Sequence, residues 1–253
     1  MITCSGLGRG RLGNQMFQYA LLRGVAARTG YGVEIPAGPK VTLWSFPLNA
    51  GKSAEEALYP HNFRERGFGF CPEVFDQPDG TDYTGYYQTE KYFSHIEAEI
   101  RTTFLFPQTI MEEIAPVRTL RQRGPVVSVH VRRRDYVNND AHADLYGDYY
   151  PNAMRMFDAC TYLIVSDDIP WCRQRFQGSN MQFFHGSSMY ADLAAMAACD
   201  HHIISNSTFS WWGAWLNPSP AKQVVRPSVW WGARTAHLED ADICPESWQI
   251  ADV

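Results

Sequence analysis

The chain has 253 residues, of which 45% are hydrophobic and 14% aromatic, enough apolar material for one large domain or two small ones. Its net charge of -5 argues against a duplex nucleic-acid binder, and the apolar content argues against a disordered chain. No stretch approaches the ~20 apolar residues of a membrane helix, and the first residues lack a signal-peptide pattern. We therefore expect a cytoplasmic protein, with peripheral contact at the inner membrane face left open.

The first half of the chain begins with a short strand, a glycine-rich segment and a long helix that ends at Gly30. The predicted strands cover 1–4, 31–35 and 83–87, and the predicted helices cover 14–29, 90–101 and 109–122. The segment 36–80 is rich in Gly, Pro and Asn, and we expect at most short helices there.

From Pro125 onward, β-branched strands alternate regularly with helices. The predicted strands cover 126–131, 162–165, 182–184, 201–204 and 223–225, and the predicted helices cover 149–158, 169–176, 188–198 and 208–216. This alternation is typical of βαβ units and a parallel sheet. We expect two α/β halves, with the boundary near 118–125.

The cysteines give no sign of a disulfide framework or a metal centre. All six are scattered, none forms a C-x-x-C pair, and a chain of this size folds without disulfides, so we expect reduced thiols. Cys199, His201 and His202 are close in sequence, but neighbours at a helix-to-strand junction rarely converge on one metal. We assign them a structural role.

The glycines after the first strand fit a dinucleotide-binding fingerprint. Gly8, Gly10 and Gly13 have the G-x-G-x-x-G spacing, and Glu34 follows at the distance of the acidic residue that holds a ribose. An NAD-linked oxidoreductase is therefore the main alternative. Against it, the two Arg residues between these glycines crowd a turn that usually carries small side chains.

Three arginines stand at the carboxyl end of the strand 126–131, in the run His130 to Asp135. Ligands of open α/β sheets bind outside that end of the strands. A guanidinium can hold a phosphate through two hydrogen bonds, so an acidic protein with several of them here is expected to bind an anionic ligand. The alternative is a solvated basic turn with local salt bridges to Asp135.

Two further segments follow strands in the second half. The run Ser205 to Leu216 combines polar caps with a helix start, which is a ready anion site, although Trp212 and Trp215 are better explained as core residues. Asp167 and Asp168 follow an apolar strand, where a carboxylate could accept two hydrogen bonds from guanine. Helix capping by Asp168, ahead of Ile169 and Pro170, is the simpler explanation on spacing alone.

Taken together, the motifs resemble glycosyltransferase family 11, the α-1,2-fucosyltransferases, in its bacterial form. The matching segments run from Gly10 to Ala20, Gly85 to Gln88, Glu90 to Phe93, His130 to Tyr136, Ser166 to Asp168 with Trp171 and Cys172, and Ser205 to Leu216. The His-x-Arg-Arg-x-Asp core is shared with α-1,6- and protein O-fucosyltransferases, whereas the Ser-Asn-Ser-Thr-Phe-Ser-Trp-Trp run is more specific. One departure is Arg134, where many bacterial relatives carry Gly.

This resemblance implies a GT-B-type α/β architecture, with two Rossmann-like halves facing a central cleft. Residues 1–120 would form the acceptor-side domain and residues 121–253 the domain that binds GDP-fucose. The implied reaction is inverting transfer of L-fucose from GDP-β-L-fucose to the 2-hydroxyl of a terminal β-galactoside, in glycan or surface polysaccharide synthesis. GDP-fucose is then a co-substrate, the partner is a galactose-terminated glycan, and no cofactor or metal is expected.

The resemblance also implies roles for individual residues. Arg132, ahead of Arg133, would neutralise charge on the departing GDP, and Asp168, ahead of Asp167, would recognise the guanine with His130 nearby. The other donor-binding candidates are Ser205, Asn206, Ser207, Thr208 and Phe209. The glycine-rich loop that would line the cleft comprises Gly10, Arg11, Gly13, Asn14 and Gln15.

No residue is evident as the base that removes the acceptor proton. Asn14 matches an Asn at the reaction centre of some related fucosyltransferases, but an amide is a poor base. Asp135 is ionisable, yet it could equally orient the Arg side chains. Both are kept as catalytic candidates beside Arg132. A non-catalytic module that binds sugar nucleotides is a further alternative, which the high aromatic content fits loosely.

Overall fold

The structure, a computed structural model, describes residues 1–54 and 58–253; part of the segment 36–80 thus lies outside the described residues. Its internal contacts divide the chain into two compact units. Unit 1 comprises Met1–Leu105 and Glu239–Pro245, and unit 2 comprises Phe106–Leu238 and Glu246–Val253. The roles predicted for the domains 1–120 and 121–253 stay predictions.

Unit 1 is built on a parallel sheet of five strands in the order β3-β2-β1-β5-β4. The strands are β1 (Ile2–Thr3), β2 (Val33–Pro36), β3 (Gly51–Ser53), β4 (His61–Arg64) and β5 (Thr81–Thr84). β1 lies between β2 and β5, with Ile2 opposite Val33 and Thr3 opposite Asp82. Because all neighbours run parallel, the segments after β1, β4 and β5 emerge at the same edge of the sheet.

Helix α1 (Leu12–Thr29) supplies much of the core of unit 1 and ends at Gly30, whose positive φ of 78° suits a C-terminal cap. Near its end Gly24 lies so close to the carbonyl of Tyr92 that a Cβ would come within 2.1 Å of it. The other helices of unit 1 are α2 (Glu97–Thr103) and short 3-10 turns at Leu7–Arg9, Thr42–Ser45, Pro72–Asp76, Glu90–Tyr92 and Ser94–Ile96.

Four elements of unit 1 differ clearly from the sequence-based prediction. The strands β3 and β4 were not predicted, because both are short, polar and largely exposed. The strand expected at 83–87 ends at Thr84, and beyond it Tyr87 has a positive φ of 54°. The helix expected at 90–101 is broken at Phe93, whose backbone is not helical, so that only its last part, α2, is α-helical.

Unit 2 contains a parallel sheet of six strands in the order β11-β10-β9-β6-β7-β8. The strands are β6 (Val126–Val131), β7 (Thr161–Ser166), β8 (Met181–Phe184), β9 (His201–Ile203), β10 (Val224–Pro227) and β11 (Gln249–Ala251). Every residue of β6 is buried, as expected for a strand covered on both faces. Val127, Val129 and Val131 pack in one core cluster, and Val126 packs in another.

The helices of unit 2 cover this sheet. They are α3 (Gln108–Glu113), α4 (Ala115–Arg121), α5 (Tyr149–Met154), α6 (Ile169–Arg175), α7 (Met189–Ala197) and α8 (Thr208–Leu216), with a 3-10 turn at Ala233–Thr235. The single helix expected at 109–122 is divided at Ile114, with Pro116 in the first turn of the second part. Strand β11 was missed because it is a short edge strand with two exposed residues.

The bulky residues of α8 confirm the core interpretation. Trp211 and Trp212 are fully buried, and Trp215 is 3% exposed. All six cysteines are free thiols, as expected. Within the described ranges, no helix combines the length and apolar character needed to cross a bilayer.

Candidate active site

The carboxyl end of β6 carries two guanidiniums that are each paired with carboxylates. Arg132 lies 2.5 Å from Asp135 through one terminal nitrogen and 3.0 Å from Asp167 through the other. Arg133 donates from Nε to Asp168 at 3.1 Å, and its backbone N–H donates to Asp167 at 2.9 Å. The predicted charged residues of β6 and β7 are therefore brought together, because these parallel strands end side by side.

Two aromatic rings pack close to the guanidinium of Arg133. The Arg133 guanidinium lies 4.0 Å from the ring centre of Trp171 and 4.7 Å from that of Tyr146. Such cation–π contacts restrict a long side chain to one orientation without consuming its N–H donors. Arg132 is less enclosed, with the ring of Tyr136 at 5.8 Å.

Tyrosine hydroxyls anchor the backbone on which these groups stand. Tyr146 donates to the carbonyl of Arg132 at 2.6 Å, Tyr150 to that of His130 at 3.1 Å, and Tyr136 to that of Asn206 at 3.1 Å. No sequence pattern assigns a role to these tyrosines. Their hydroxyls reach across the fold, and spacing along the chain does not reveal such contacts.

His130 is buried at 3% exposure, and its Nδ1 lies 2.8 Å from the hydroxyl of Ser205. Burial lowers the pKa of His130 to about 4, even though the nearby Asp167 acts in the opposite direction. The imidazole is thus neutral at physiological pH. It is a hydrogen-bonding group that links β6 to the loop before α8.

That loop contains the remaining donor-binding candidates. Ser207 caps α8 by accepting the N–H of Phe209 at 3.3 Å, and the Phe209 ring lies 5.7 Å from that of His130. Asn206 is buried, and its amide donates to the carbonyls of Ala143 and Trp230. Ser205 is also buried, and Thr208 is the first residue of the helix. The start of α8 is therefore set firmly beside β6.

Asp168 has the capping role that its spacing suggested. It is the N-cap of α6, and its Oδ1 accepts the N–H of Trp171 at 3.2 Å. Recognition of guanine by Asp168 or Asp167 stays a prediction. An ionised carboxylate has about four lone-pair positions, so both carboxylates keep acceptor capacity beyond these contacts.

The glycine-rich loop lies in unit 1, where it leads into α1. A Cβ at Gly10 would come within 2.7 Å of the Asn14 side chain, so glycine at this position leaves room for it. Gln15 joins the loop to the next segment, since its amide nitrogen donates to the carbonyls of Gly10 and Lys40 and its oxygen accepts from Thr42. The side chain of Asn14 accepts a hydrogen bond from Gln88 at 3.0 Å.

The start of α1 accounts for the other two predicted loop residues. Arg11 is the extended residue before the helix, and its carbonyl accepts the N–H of Gln15. Gly13 is buried in the first turn.

The dinucleotide fingerprint is not realised in this region. The 3-10 turn Leu7–Arg9 interrupts the path from strand to helix, and Gly8 lies within it. Glu34 is the second residue of β2, rather than the residue after it, and accepts a hydrogen bond from Tyr59. Gly10 packs against the Asn14 side chain, whereas Gly8 packs against Lys40 and Val41.

The cysteine and histidines near β9 have structural partners. His202 lies 2.8 Å from the hydroxyl of Ser128 and 2.9 Å from the amide of Asn217, and the thiol of Cys199 donates to the carbonyl of Ala195. Across residues 1–54 and 58–253, no group of three or more His, Cys, Asp or Glu side chains is arranged to hold a metal ion.

A family model described as glycosyl transferase family 11 matches residues 7–249. The chain belongs to this family. It is 28% identical to an α-1,2-colitosyltransferase of Escherichia coli, over 94% of this chain and 95% of the relative. It is 30% identical to the galactoside α-(1,2)-fucosyltransferase 2 of Rattus norvegicus, over 85% of this chain and 67% of the relative.

A solved structure, the NodZ α-1,6-fucosyltransferase soaked with GDP-fucose, aligns with a TM-score of 0.53 over 90% of this chain and 94% of the other. At 13% identity this likeness supports the fold alone, which is of the GT-B type. The predicted GT-B fold class, family and glycosyltransferase activity are confirmed, and they argue against the oxidoreductase alternative.

Proposed function

We propose that the protein transfers L-fucose from GDP-β-L-fucose to the 2-hydroxyl of a terminal β-galactoside, with inversion at the anomeric carbon. The observation that carries this proposal is the pair of fixed guanidiniums, Arg132 and Arg133, at the carboxyl end of β6 in a chain of family 11. We assign the donor to unit 2 and the acceptor to unit 1.

In the proposed reaction the bond between the anomeric carbon and the β-phosphate oxygen breaks, and GDP leaves with its electron pair. Negative charge grows on the β-phosphate, where Arg132 donates from a position that Asp135 and Asp167 already hold. Preorganised donors aimed at developing charge are a large source of catalysis, because they need no reorganisation during the reaction. The helix start of α8 at Ser207 and Thr208 would also stabilise part of this negative charge.

The acceptor oxygen then forms a bond to the anomeric carbon from the opposite face, and its proton must go to a base or through water. Asp135 is paired with Arg132, so we assign it to orientation of that guanidinium. Asn14 is assigned to hydrogen bonding at the acceptor hydroxyl. Departure of GDP would drive the step through an oxocarbenium-like state, with a weak or water-relayed base.

We propose that the guanidiniums replace a divalent metal on the pyrophosphate. A guanidinium offers five donors in a fixed plane and stays charged at any working pH, so it can neutralise a leaving phosphate. Transfer should continue at full rate with a chelator in the reaction. Loss of activity on chelation, with recovery on addition of Mg²⁺, would reject this part of the proposal.

A second candidate differs in the donor sugar. The E. coli relative that aligns along nearly its whole length is named a colitosyltransferase. Colitose is a fucose that lacks the 3-hydroxyl. The guanidiniums of β6 would serve either nucleotide equally, because the two donors share GDP. The preference for one donor over the other must therefore depend on contacts to the sugar, and a direct comparison of the two donors measures it.

The test is to incubate the protein with β1,3- and β1,4-linked galactosides and either GDP-fucose or GDP-colitose. Product structure is then read by NMR. We expect release of GDP and an α-1,2-linked product, with one donor preferred. Binding of GDP without any transfer would favour a non-catalytic sugar-nucleotide-binding module. A cytoplasmic location, with or without contact at the inner membrane face, stays a prediction.

A further inference from the structure

Glu65, which follows β4 directly, holds the turn Gly85–Gln88, here called the Gln88 turn. One carboxylate oxygen of Glu65 accepts the backbone N–H of Tyr86 at 2.6 Å, and the other accepts that of Tyr87 at 2.9 Å. A strand continuing past Thr84 would offer these N–H groups to a neighbouring strand. The carboxylate instead accepts hydrogen bonds from both N–H groups, and the chain leaves the strand direction there.

The Gln88 turn has a conformation that its own sequence disfavours. Tyr87 has a φ of 54°, which a bulky residue adopts only when its surroundings impose it. A Cβ at Gly85 would come within 2.4 Å of the Cβ of Glu65, so no other residue fits there without movement. Strained backbone of this kind often marks functional sites.

The end of the turn reaches Asn14. Gln88 is 6% exposed, and its amide nitrogen donates to the Oδ1 of Asn14 at 3.0 Å. Gln18, four residues after Asn14 and therefore on the same side of α1, donates to the carbonyl of Gly85 at 2.7 Å. The contact from Gln88 orients the Asn14 amide, because an N–H donor selects the oxygen side and directs the amide nitrogen of Asn14 the other way.

We propose that Glu65 and Gln88 are positioning residues for Asn14. Glu65 fixes the Gln88 turn, and Gln88 fixes the amide of Asn14 so that its nitrogen serves as the donor toward the acceptor sugar. This inference rests on the proposed function, in which Asn14 hydrogen-bonds at the acceptor hydroxyl. It assigns Asn14 as a hydrogen-bond donor, consistent with an amide being a poor base.

The contact between Glu65 and the Gln88 turn is also sensitive to pH near neutrality. Burial raises the pKa of Glu65 to about 7, despite the two N–H donors, which act in the opposite direction. The titratable groups that interact with it are Cys4, Tyr87 and Tyr92, whose pKa values burial raises, so they are neutral at pH 7. No cationic side chain of the described residues forms a salt bridge with Glu65.

Protonation turns one acceptor oxygen of Glu65 into a hydroxyl, which leaves one N–H of the turn without its partner. Turnover should therefore fall as the pH drops through about 7. The contribution of Glu65 to the free energy of unfolding changes with pH in the opposite direction to turnover. Because its pKa is raised in the folded state, this contribution is present at low pH and is lost as the pH rises toward 7. Opposite trends of turnover and stability distinguish positioning from a purely structural role.

The experiment is a double-mutant cycle of Glu65→Gln and Asn14→Ala, read as kcat for transfer to a galactoside at saturating donor. In Glu65→Gln the amide presents an N–H group to one of the backbone N–H groups of the turn, so one hydrogen bond is lost. We therefore expect kcat to fall on the order of tenfold, an effect typical of two residues in direct contact. The loss should vanish in the Asn14→Ala background. The acidic limb of the pH profile should also disappear in Glu65→Gln.

A matched control and a second variant keep the result interpretable. Glu113 in unit 2 likewise accepts a backbone N–H, that of Ser187 at 2.6 Å, so Glu113→Gln should leave kcat and its pH profile unchanged. Gln88→Leu breaks only the last contact, and we expect the same loss of kcat as for Glu65→Gln. This variant tests the chain of contacts even where Glu65→Gln fails to fold.

A loss in Glu65→Gln that persists undiminished in the Asn14→Ala background would overturn the inference, as would normal kcat in Gln88→Leu. These outcomes leave the proposed function intact, since the wild-type protein would still transfer the sugar. Wild-type protein that transfers neither fucose nor colitose would instead overturn the proposed function, and this inference with it.

Discussion

The carboxyl edges of the two sheets are built from different chemical groups. In unit 2 the edge carries two guanidiniums with three carboxylates around them, which suits a ligand whose charge changes during reaction. In unit 1 the edge carries neutral amides, with one partly buried carboxylate that binds backbone N–H groups. Two parallel sheets therefore present different groups at their carboxyl edges. The edge in unit 2 presents charged side chains, and the edge in unit 1 presents neutral hydrogen-bonding groups, which suit a sugar.

The two edges are also held in different ways. In unit 2, ion pairs and the ring of Trp171 restrain the charged groups, and the strand beneath them is regular and buried. In unit 1, a strained turn at Tyr87 sets the amides. Substitutions at four residues of unit 2 test whether its edge handles charge, with the largest effect expected at Arg132 and the smallest at Tyr146.

Removal of Arg132 should have the largest effect. Arg132→Ala should lower kcat by about a hundredfold or more, because one preorganised donor to the departing phosphate is lost. Arg132→Lys should also be poor, since the charge remains but the planar fork does not. The measurement is transfer at saturating GDP-fucose, with the melting temperature as a control for folding. Near-normal turnover of Arg132→Ala would move the role to Arg133 or Arg134.

Asp168→Asn should weaken GDP binding by about 1.5–3 kcal/mol, the value of one hydrogen bond to a charged group. The change also removes charge from the N-cap of α6 and from the pair with Arg133, so some loss of stability is expected. The preference for GDP over ADP, measured by calorimetry, separates these effects. An unchanged preference would mean that Asp168 is a helix cap only.

Acidification should destabilise unit 2 through His130. Burial lowers its folded-state pKa to about 4, whereas the unfolded value is near 6.5, so the unfolded chain binds more protons in this interval. Stability is therefore lost as the pH falls from about 6.5 to 4, with a slope of up to about 1.4 kcal/mol per pH unit.

The measurement for His130 is denaturant unfolding, followed by tryptophan fluorescence at several pH values. His130→Gln should show a shallower dependence on pH than wild type, and the exposed His61→Gln should match wild type. Equal slopes in all three proteins would show that His130 does not titrate in this way.

Tyr146→Phe should have the smallest effect. It removes one hydrogen bond to the carbonyl of Arg132, worth about 1 kcal/mol, so kcat should drop severalfold. Tyr162→Phe is the matched control, because its hydroxyl donates to the carbonyl of Met154 at the same distance of 2.6 Å but away from the site. A similar loss of kcat in both variants would assign the effect to general destabilisation.

The regular parts of unit 2 could be predicted from the sequence because local signals agree there. The bounds of β6 and α8 match the prediction. The β-branched run is compatible only with a strand, and the Ser-Asn-Ser run marks the residue at which the helix begins. The charged residues at the carboxyl end of β6 were found because parallel topology brings strand ends together. Their partners, such as Asp167 with the backbone of Arg133, needed the register of β6 against β7.

Unit 1 was harder to predict because its strands are short and its turn is set by tertiary contacts. Tyr86 and Tyr87 have strong strand propensity, yet Glu65 takes the N–H groups that a strand would use. Nothing near Glu65 in the sequence marks it, since it follows a polar edge strand in a segment rich in Gly and Pro. The role of Gln88 likewise depends on its meeting Asn14 in space.

The most direct test of the difference between the two edges is the dissociation constant of GDP, measured by calorimetry for wild type, Arg132→Ala and Asn14→Ala beside their kcat values. We predict that Arg132→Ala weakens GDP binding and lowers kcat by a larger factor, because its contact strengthens as charge develops. Asn14→Ala should bind GDP as wild type does and lose kcat alone. Loss of GDP binding in Asn14→Ala, with normal binding in Arg132→Ala, would contradict this account.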